Sequence, residues 1–185
     1  STTCNQADTP WTFRGQIPPL GAAIARGLSV HIKPIQIDDR TGIGGDDGDG
    51  WRLLGGPFQG MPLRQVLSRP DLADECRAAY DDGLPLTANA DIRELPLVGE
   101  EAKIFCAGFN YRAPGRERPE HPTLFLRTAA SLVAHEIPVV VPRVSPMLDW
   151  EGEVAVVIGT PAHHVDPGDA WGHVAALTCF ADNTV

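Results

Sequence analysis

Glu151 and Glu153 flank a single glycine in Asp149-Trp150-Glu151-Gly152-Glu153-Val154-Ala155-Val156-Val157-Ile158-Gly159. The residues after Glu153 are strongly strand-forming. Side chains alternate faces along a strand, so the two glutamates point the same way. Adjacent carboxylates repel, and the repulsion is relieved by water or by a shared cation. Gly152 leaves the opposite face bare, which suits close packing or a bend. A third acid, Asp182, follows the apolar run Val174–Phe180 and is expected on a neighbouring strand. Three carboxylates without a cysteine ligand favour a hard cation, Mg²⁺ first and then Mn²⁺ or Ca²⁺, over zinc. The competing reading is a solvated strand face with no ligand.

Other side chains could bind an anion or move a proton. Arg112 and Arg127 have the planar fork that grips a carboxylate bidentately, or they form ordinary surface ion pairs. His121 and Glu117 lie in a Pro-rich stretch that also reads as a solvated loop.

Four segments occur in a telling order: Gly108-Phe109-Asn110-Tyr111-Arg112, Pro122-Thr123-Leu124-Phe125-Leu126-Arg127, Asp149 to Gly159, and Leu177-Thr178-Cys179-Phe180-Ala181-Asp182. In order and spacing they resemble the successive motifs of the fumarylacetoacetate hydrolase superfamily, over roughly residues 84–185. The resemblance implies an α+β, β-rich fold. A small N-terminal α/β region, residues 1–99, would precede a mixed β-sandwich or roll catalytic domain from residue 100. That domain is expected to be incomplete at Val185, with its remaining strands outside these 185 residues.

The resemblance also implies that Glu151, Glu153 and Asp182 are the metal ligands and that Tyr111, Arg112 and Arg127 bind substrate. The implied activity is divalent-metal-dependent hydrolysis of a C–C bond in a 1,3-dicarbonyl or acylpyruvate, through a stabilised enolate. Two alternatives use the same residues: decarboxylation or isomerisation of a 2-oxo diacid, or a catalytically inactive member kept for assembly. Hydrolytic members need a general base, commonly a His a few residues after the Asn-Tyr pair. Here Pro114 stands at that place and cannot transfer a proton, which leaves His121, or failing that Glu117, as the catalytic group. A small-molecule substrate and a homodimer are the expected partners.

These residues must be positioned by a chain of short elements, since its 185 residues include 17 Pro and 19 Gly. Residues 1–19 read as an irregular arm. Leu20, Ala23, Ile24 and Leu28 have helical spacing. Val30 to Ile37 reads as a strand interrupted at Pro34, Asp38 to Gly50 as a turn or loop, and Trp51–Leu54 as a returning strand. Two helices are expected, one around Leu63, Val66 and Leu67 and one over Leu72 to Tyr80, stopped at Gly83. Residues 84–99 look like a linker. Beyond Ala102 come the apolar runs Ile104–Ala107, Thr123–Leu126, Val139–Val141, Val154–Ile158 and Val174–Phe180, with a helix capped by Asp166 before the last.

Net charge is −9, from 24 acidic and 15 basic residues, which argues against nucleic acid as a partner. No apolar run is long enough to cross a bilayer as a helix, so no membrane partner is expected. The four cysteines are far apart, and the reading is a cytoplasmic protein without disulfides. The Asp46–Gly50 run has the wrong spacing for a calcium loop, and His163-His164 reads as an exposed loop.

Overall fold

The computed structural model describes residues 30–86, 92–117 and 119–185, together with the backbone of 23–25. Ten strands are described: β1 (Ala23–Ala25), β2 (His31–Ile37), β3 (Arg40–Asp46), β4 (Trp51–Leu53), β5 (Leu84–Pro85), β6 (Ile92–Glu94), β7 (Lys103–Gly108), β8 (Thr123–Thr128), β9 (Gly152–Ile158) and β10 (Val174–Ala181). The helices are α1 (Leu63–Leu67) and α2 (Leu72–Asp81). The main sheet runs β5-β4-β3-β2-β1-β10-β9, with β6 also paired to β2, while β7 and β8 form a separate hairpin. The fold is α+β and β-rich. The change of sequence character near residue 100 does not break the main sheet: β1, from the N-terminal region, pairs with β10 through Ala23↔Thr178 and Ala25↔Ala176.

Both expected helices form. Their spacing turns Leu63, Val66 and Leu67 of α1, and Leu72, Cys76, Ala79 and Tyr80 of α2, into one core with Val30, Ile32, Ile43, Leu54 and Phe58. Ala175 and Ala176 of β10 join that core, so the strand leading to Asp182 is anchored in it. Gly83 closes α2. A side chain there would place its Cβ 2.8 Å from the Leu53 carbonyl oxygen.

Several elements differ from the sequence-based expectation. Ala23–Ala25 is strand, not helix, because it pairs with β2 on one edge and β10 on the other; the rest of the expected helix and the arm at 1–19 lie outside the described residues. Pro34 does not interrupt β2. Its carbonyl accepts from Leu95 N at 3.1 Å, so its missing N–H faces the place where β1 has ended and β6 begins. No ladder bond is lost there.

Asp38 to Gly50 is two tight turns around β3, not one loop. A hairpin at Asp38-Asp39, with Asp38 at φ 52°, joins Ile37 to Arg40. The glycines of β3 are dictated by packing: a Cβ at Gly42 or Gly45 would sit 2.7 or 2.8 Å from Leu53 or Leu54 side-chain carbons. The expected linker contributes β5 and β6. Val139–Val141 forms no strand; Pro138 and Pro142 bracket it. The helix expected from Asp166 is a single 3₁₀ turn, Ala170–His173, since Gly168 and Gly172 weaken so short a helix before β10 begins.

The second turn is pinned to α2. The Tyr80 hydroxyl donates to Asp47 Oδ1 at 2.6 Å and Arg77 Nη1 donates to Asp47 Oδ2 at 2.9 Å. These bonds, Tyr80 first, pull the Asp47 carboxyl from 3.8 down to about 2. A depressed carboxyl stabilises the fold above its unfolded pKa and ceases to do so as pH falls through the folded value. The stability advantage of the native chain over Asp47→Asn is therefore full at pH 5 and above, shrinks below about pH 4 and is gone near pH 2, as urea midpoints across that range would show.

Candidate functional site

The site forms where β9 and β10 emerge from the core. Their antiparallel register pairs Glu153 with Phe180 and Gly152 with Ala181. The ladder continues past the strands: Asp182 N donates to the Glu151 carbonyl at 2.8 Å, and Asp149 bridges Thr184. Glu151, Glu153 and Asp182 therefore share one face of the sheet. On the other face the Trp150 ring lies against Gly152, where a Cβ would be 2.9 Å from the indole. That contact explains the glycine between the two acids.

The three carboxylates differ in surroundings. Asp182 is 5% exposed, whereas Glu151 is exposed and Glu153 half-buried. A buried carboxylate needs a partner, and Asp182 has one: Arg127 Nε donates to its Oδ1 at 2.7 Å. Arg127 Nη2 also reaches the Asn183 carbonyl, at 3.3 Å. Arg127 comes from β8, where its pairing opposite Ile104 puts it on the same side of the hairpin as Cys106 and Phe125. This face of the hairpin meets the acidic end of the sheet.

The Tyr111 hydroxyl lies beside the Glu153 carboxylate. Partial desolvation, then that carboxylate, raise its pKa above the usual phenol range, so it remains a proton donor at neutral pH. Phe109, just before it, holds φ 55°, a left-handed conformation uncommon for a bulky residue and a mark of local strain. The Arg116 guanidinium stacks 4.8 Å from the Phe109 ring. Behind Phe109 opens a cleft of about 360 Å³, lined by Gly108, Asn110, Pro119, Glu120 and Pro122.

The structure thus brings Glu151, Glu153, Asp182, Tyr111 and Arg127 to one corner of the molecule. Arg112, Glu117 and His121 lie on the exposed β7–β8 loop, and the structure gives none of these three a contact with the carboxylates. Arg127 was expected to meet a substrate carboxylate or a surface acid; it meets a buried acid of its own chain. Cys106, read from sequence as a small hydrophobe, sits beside Asp182. Burial and then that carboxylate push its thiol above the usual range, so it is a neutral neighbour. The alternation of Ile104, Cys106 and Gly108 along β7, on the face that carries Arg127, was the available signal.

The donor set suits a hard divalent cation in kind: three carboxylates on one face, one of them buried and already holding a guanidinium as stand-in positive charge. As the side chains are placed, no group of three or more His, Cys, Asp or Glu among the described residues is close enough to hold a metal ion. Asp182 is turned toward Arg127. Among the described residues no helix is long and apolar enough to cross a membrane. Cys76, Cys106 and Cys179 are unpaired.

A family model described as fumarylacetoacetate (FAA) hydrolase C-terminal matches residues 103–185. A Homo sapiens protein named oxaloacetate tautomerase FAHD2A, mitochondrial, is 36% identical over 110 residues, which are 57% of this chain and 35% of the relative. The Xenopus laevis oxaloacetate tautomerase fahd2, mitochondrial, is 27% identical over 177 residues, 90% of this chain and 56% of the relative. The chain thus spans about half the length, or less, of these relatives. A solved structure of a putative uncharacterized protein from Mycobacterium abscessus superposes with a TM-score of 0.58 at 22% identity, covering 83% of this chain and 55% of that one, a likeness of fold. Residues 103–185, which hold every candidate site residue, are thus similar to the C-terminal part of fumarylacetoacetate hydrolase-family proteins.

Proposed function

We propose that this chain carries the carboxylate face of an enzyme that interconverts or cleaves a small 2-oxo diacid or related 1,3-dicarbonyl through its enolate. The observation that carries the reading is the shared face of Glu151, Glu153 and Asp182, with a basic and a phenolic group beside it. These three acids would hold the divalent cation, Mg²⁺ in the first place. A bound cation would supply Lewis acidity to a developing enolate oxygen.

The remaining residues act directly on the substrate. Arg112, on the loop, binds a substrate carboxylate by its guanidinium fork. The Tyr111 hydroxyl, kept protonated, donates to an oxygen of the bound substrate and sets its orientation. His121 or Glu117 exchanges a proton between the substrate carbon and water when the loop closes over it. The homodimer belongs to the same reading, and the exposed side chains of Val154, Val156 and Ile158 on the outward face of β9 supply apolar contact area for it.

Isomerisation or decarboxylation is favoured over hydrolysis. Pro114 occupies the place where a water-activating His is usual, and neither alternative reaction needs an activated water. The relatives named as oxaloacetate tautomerases point to the same class. Hydrolysis of an acylpyruvate remains the second reading, with His121 as its base.

The deciding experiment follows three signals with the full-length protein: enol absorbance of oxaloacetate, CO₂ release from it, and pyruvate release from acylpyruvates. Loss of enol absorbance well above the buffer rate, abolished by EDTA and restored by Mg²⁺ or Mn²⁺, is expected. Pyruvate release as the dominant signal would install the hydrolase instead. Glu153→Gln should lower the favoured rate by at least about 10²-fold, the scale of losing a group that stabilises developing charge. An undiminished rate in that variant would remove Glu153 from the site. His121→Ala should lower kcat by about 10²- to 10⁴-fold, the usual worth of a positioned proton carrier. If kcat holds in His121→Ala and drops in Glu117→Gln, the carboxylate is the carrier.

A further inference from the structure

We propose that Arg127 is a placeholder cation: its guanidinium neutralises Asp182 while no divalent ion is bound, and it yields the carboxylate when one arrives. This rests on the reading of Glu151, Glu153 and Asp182 as metal ligands. Metal affinity is then set by competition between Arg127 and the ion.

The argument begins with burial. The Asp182 side chain is 7% exposed, and an ionised carboxylate so placed is costly without a positive partner. Glu151, and Glu153 beside Tyr111, have water or a hydroxyl to turn to; Asp182 has Arg127. The pairing is also built to be given up. It is a single contact, Nε to Oδ1, and not the two-pronged clamp that arginine forms where it is permanent.

The Arg127 side chain is 31% exposed, so it has solvent to withdraw into. It keeps two footholds that do not involve the acid: the Asn183 carbonyl, and the Phe125 ring 5.3 Å away. A divalent ion on Asp182 would stand within a few ångströms of the guanidinium, and that repulsion favours its departure. Once released, Arg127 stays at the mouth of the site and is free to take a substrate carboxylate. Metal therefore binds before substrate.

The test is calorimetric titration of Mn²⁺ into the full-length protein, alongside Arg127→Met and Arg127→Lys. Arg127→Met should bind Mn²⁺ about 5- to 150-fold more tightly, the usual span of coupling between two sites. Its metal-free Tm should fall below that of the native chain, and saturating Mn²⁺ should close the gap. Arg127→Lys, which keeps the charge, should stay near native on both counts. Equal or weaker binding by Arg127→Met overturns the placeholder while leaving the metal site standing. Failure of the native chain to bind Mn²⁺, or unchanged binding in Glu151→Gln/Glu153→Gln, overturns both. Should Arg127→Met not fold, the native chain still decides the matter. With ¹⁵N-labelled arginine, the slowly exchanging Arg127 Nε–H signal, assigned through Arg127→Lys, must shift or vanish as Mg²⁺ is added. A signal that persists unmoved at saturation overturns the proposal.

Discussion

The antiparallel ladder between β9 and β10 is the constraint on which the site depends. A shift of one residue in that register would send every side chain of one strand to the other face and separate Asp182 from Glu151 and Glu153. The register is held from outside the site. β10 is bonded along both edges, to β1 and to β9, and its Ala175 and Ala176 are locked into the helix-covered core. At the far end, Gly159 N donates to the His173 carbonyl at 2.9 Å, and a Cβ on Gly159 would come within 2.5 Å of Ala175 Cβ. The strand is fixed at its apolar end, and its acidic end follows.

Much of this was legible in sequence because it is local. The i, i+2 spacing of the two glutamates is enough to put them on one face once the segment is a strand. The helical spacing of Leu63 to Leu67 and Leu72 to Tyr80 is equally self-contained, and both helices formed as read. What stayed hidden was pairing between distant segments. Ala23–Ala25 has the periodicity of a helix and becomes a strand because two other strands need an edge filled. Gly42, Gly44 and Gly45 look like loop residues and form β3 because the side chains of Leu53, of Trp51 and Ile35, and of Leu54 respectively crowd them. Local propensity loses in both places to hydrogen bonds that no short window contains.

The same division holds within the site. Arg127 could be recognised as a carboxylate binder, but the identity of its partner depends on how the hairpin docks against the main sheet. Cys106 could be seen to alternate with Ile104 and Gly108, but its approach to Asp182 depends on that same docking. The residues on the long β7–β8 loop were the hardest to place, since Arg112, Glu117 and His121 have no strand register to fix them. Their chemistry is plain and their geometry is not fixed by the fold, which is the usual condition of groups that act when a loop closes.

Burial and partnership rise together across the three acids. Glu151 is exposed and is left to water. Glu153 is half-buried and has one neutral neighbour, Tyr111, kept protonated by its setting. Asp182 is buried and has a full positive charge. Each step inward removes water that would otherwise screen the charge, and each step supplies a stronger protein group in its place. Like-charged side chains on one strand face would otherwise favour exposure of all three. Burying the innermost acid is tolerable only because β8 delivers Arg127 to it, and β8 can do so only while paired with β7 in the register that sets Arg127 opposite Ile104. The hairpin therefore supplies the partner of the site's deepest acid, and that partner, Arg127, keeps one side in solvent.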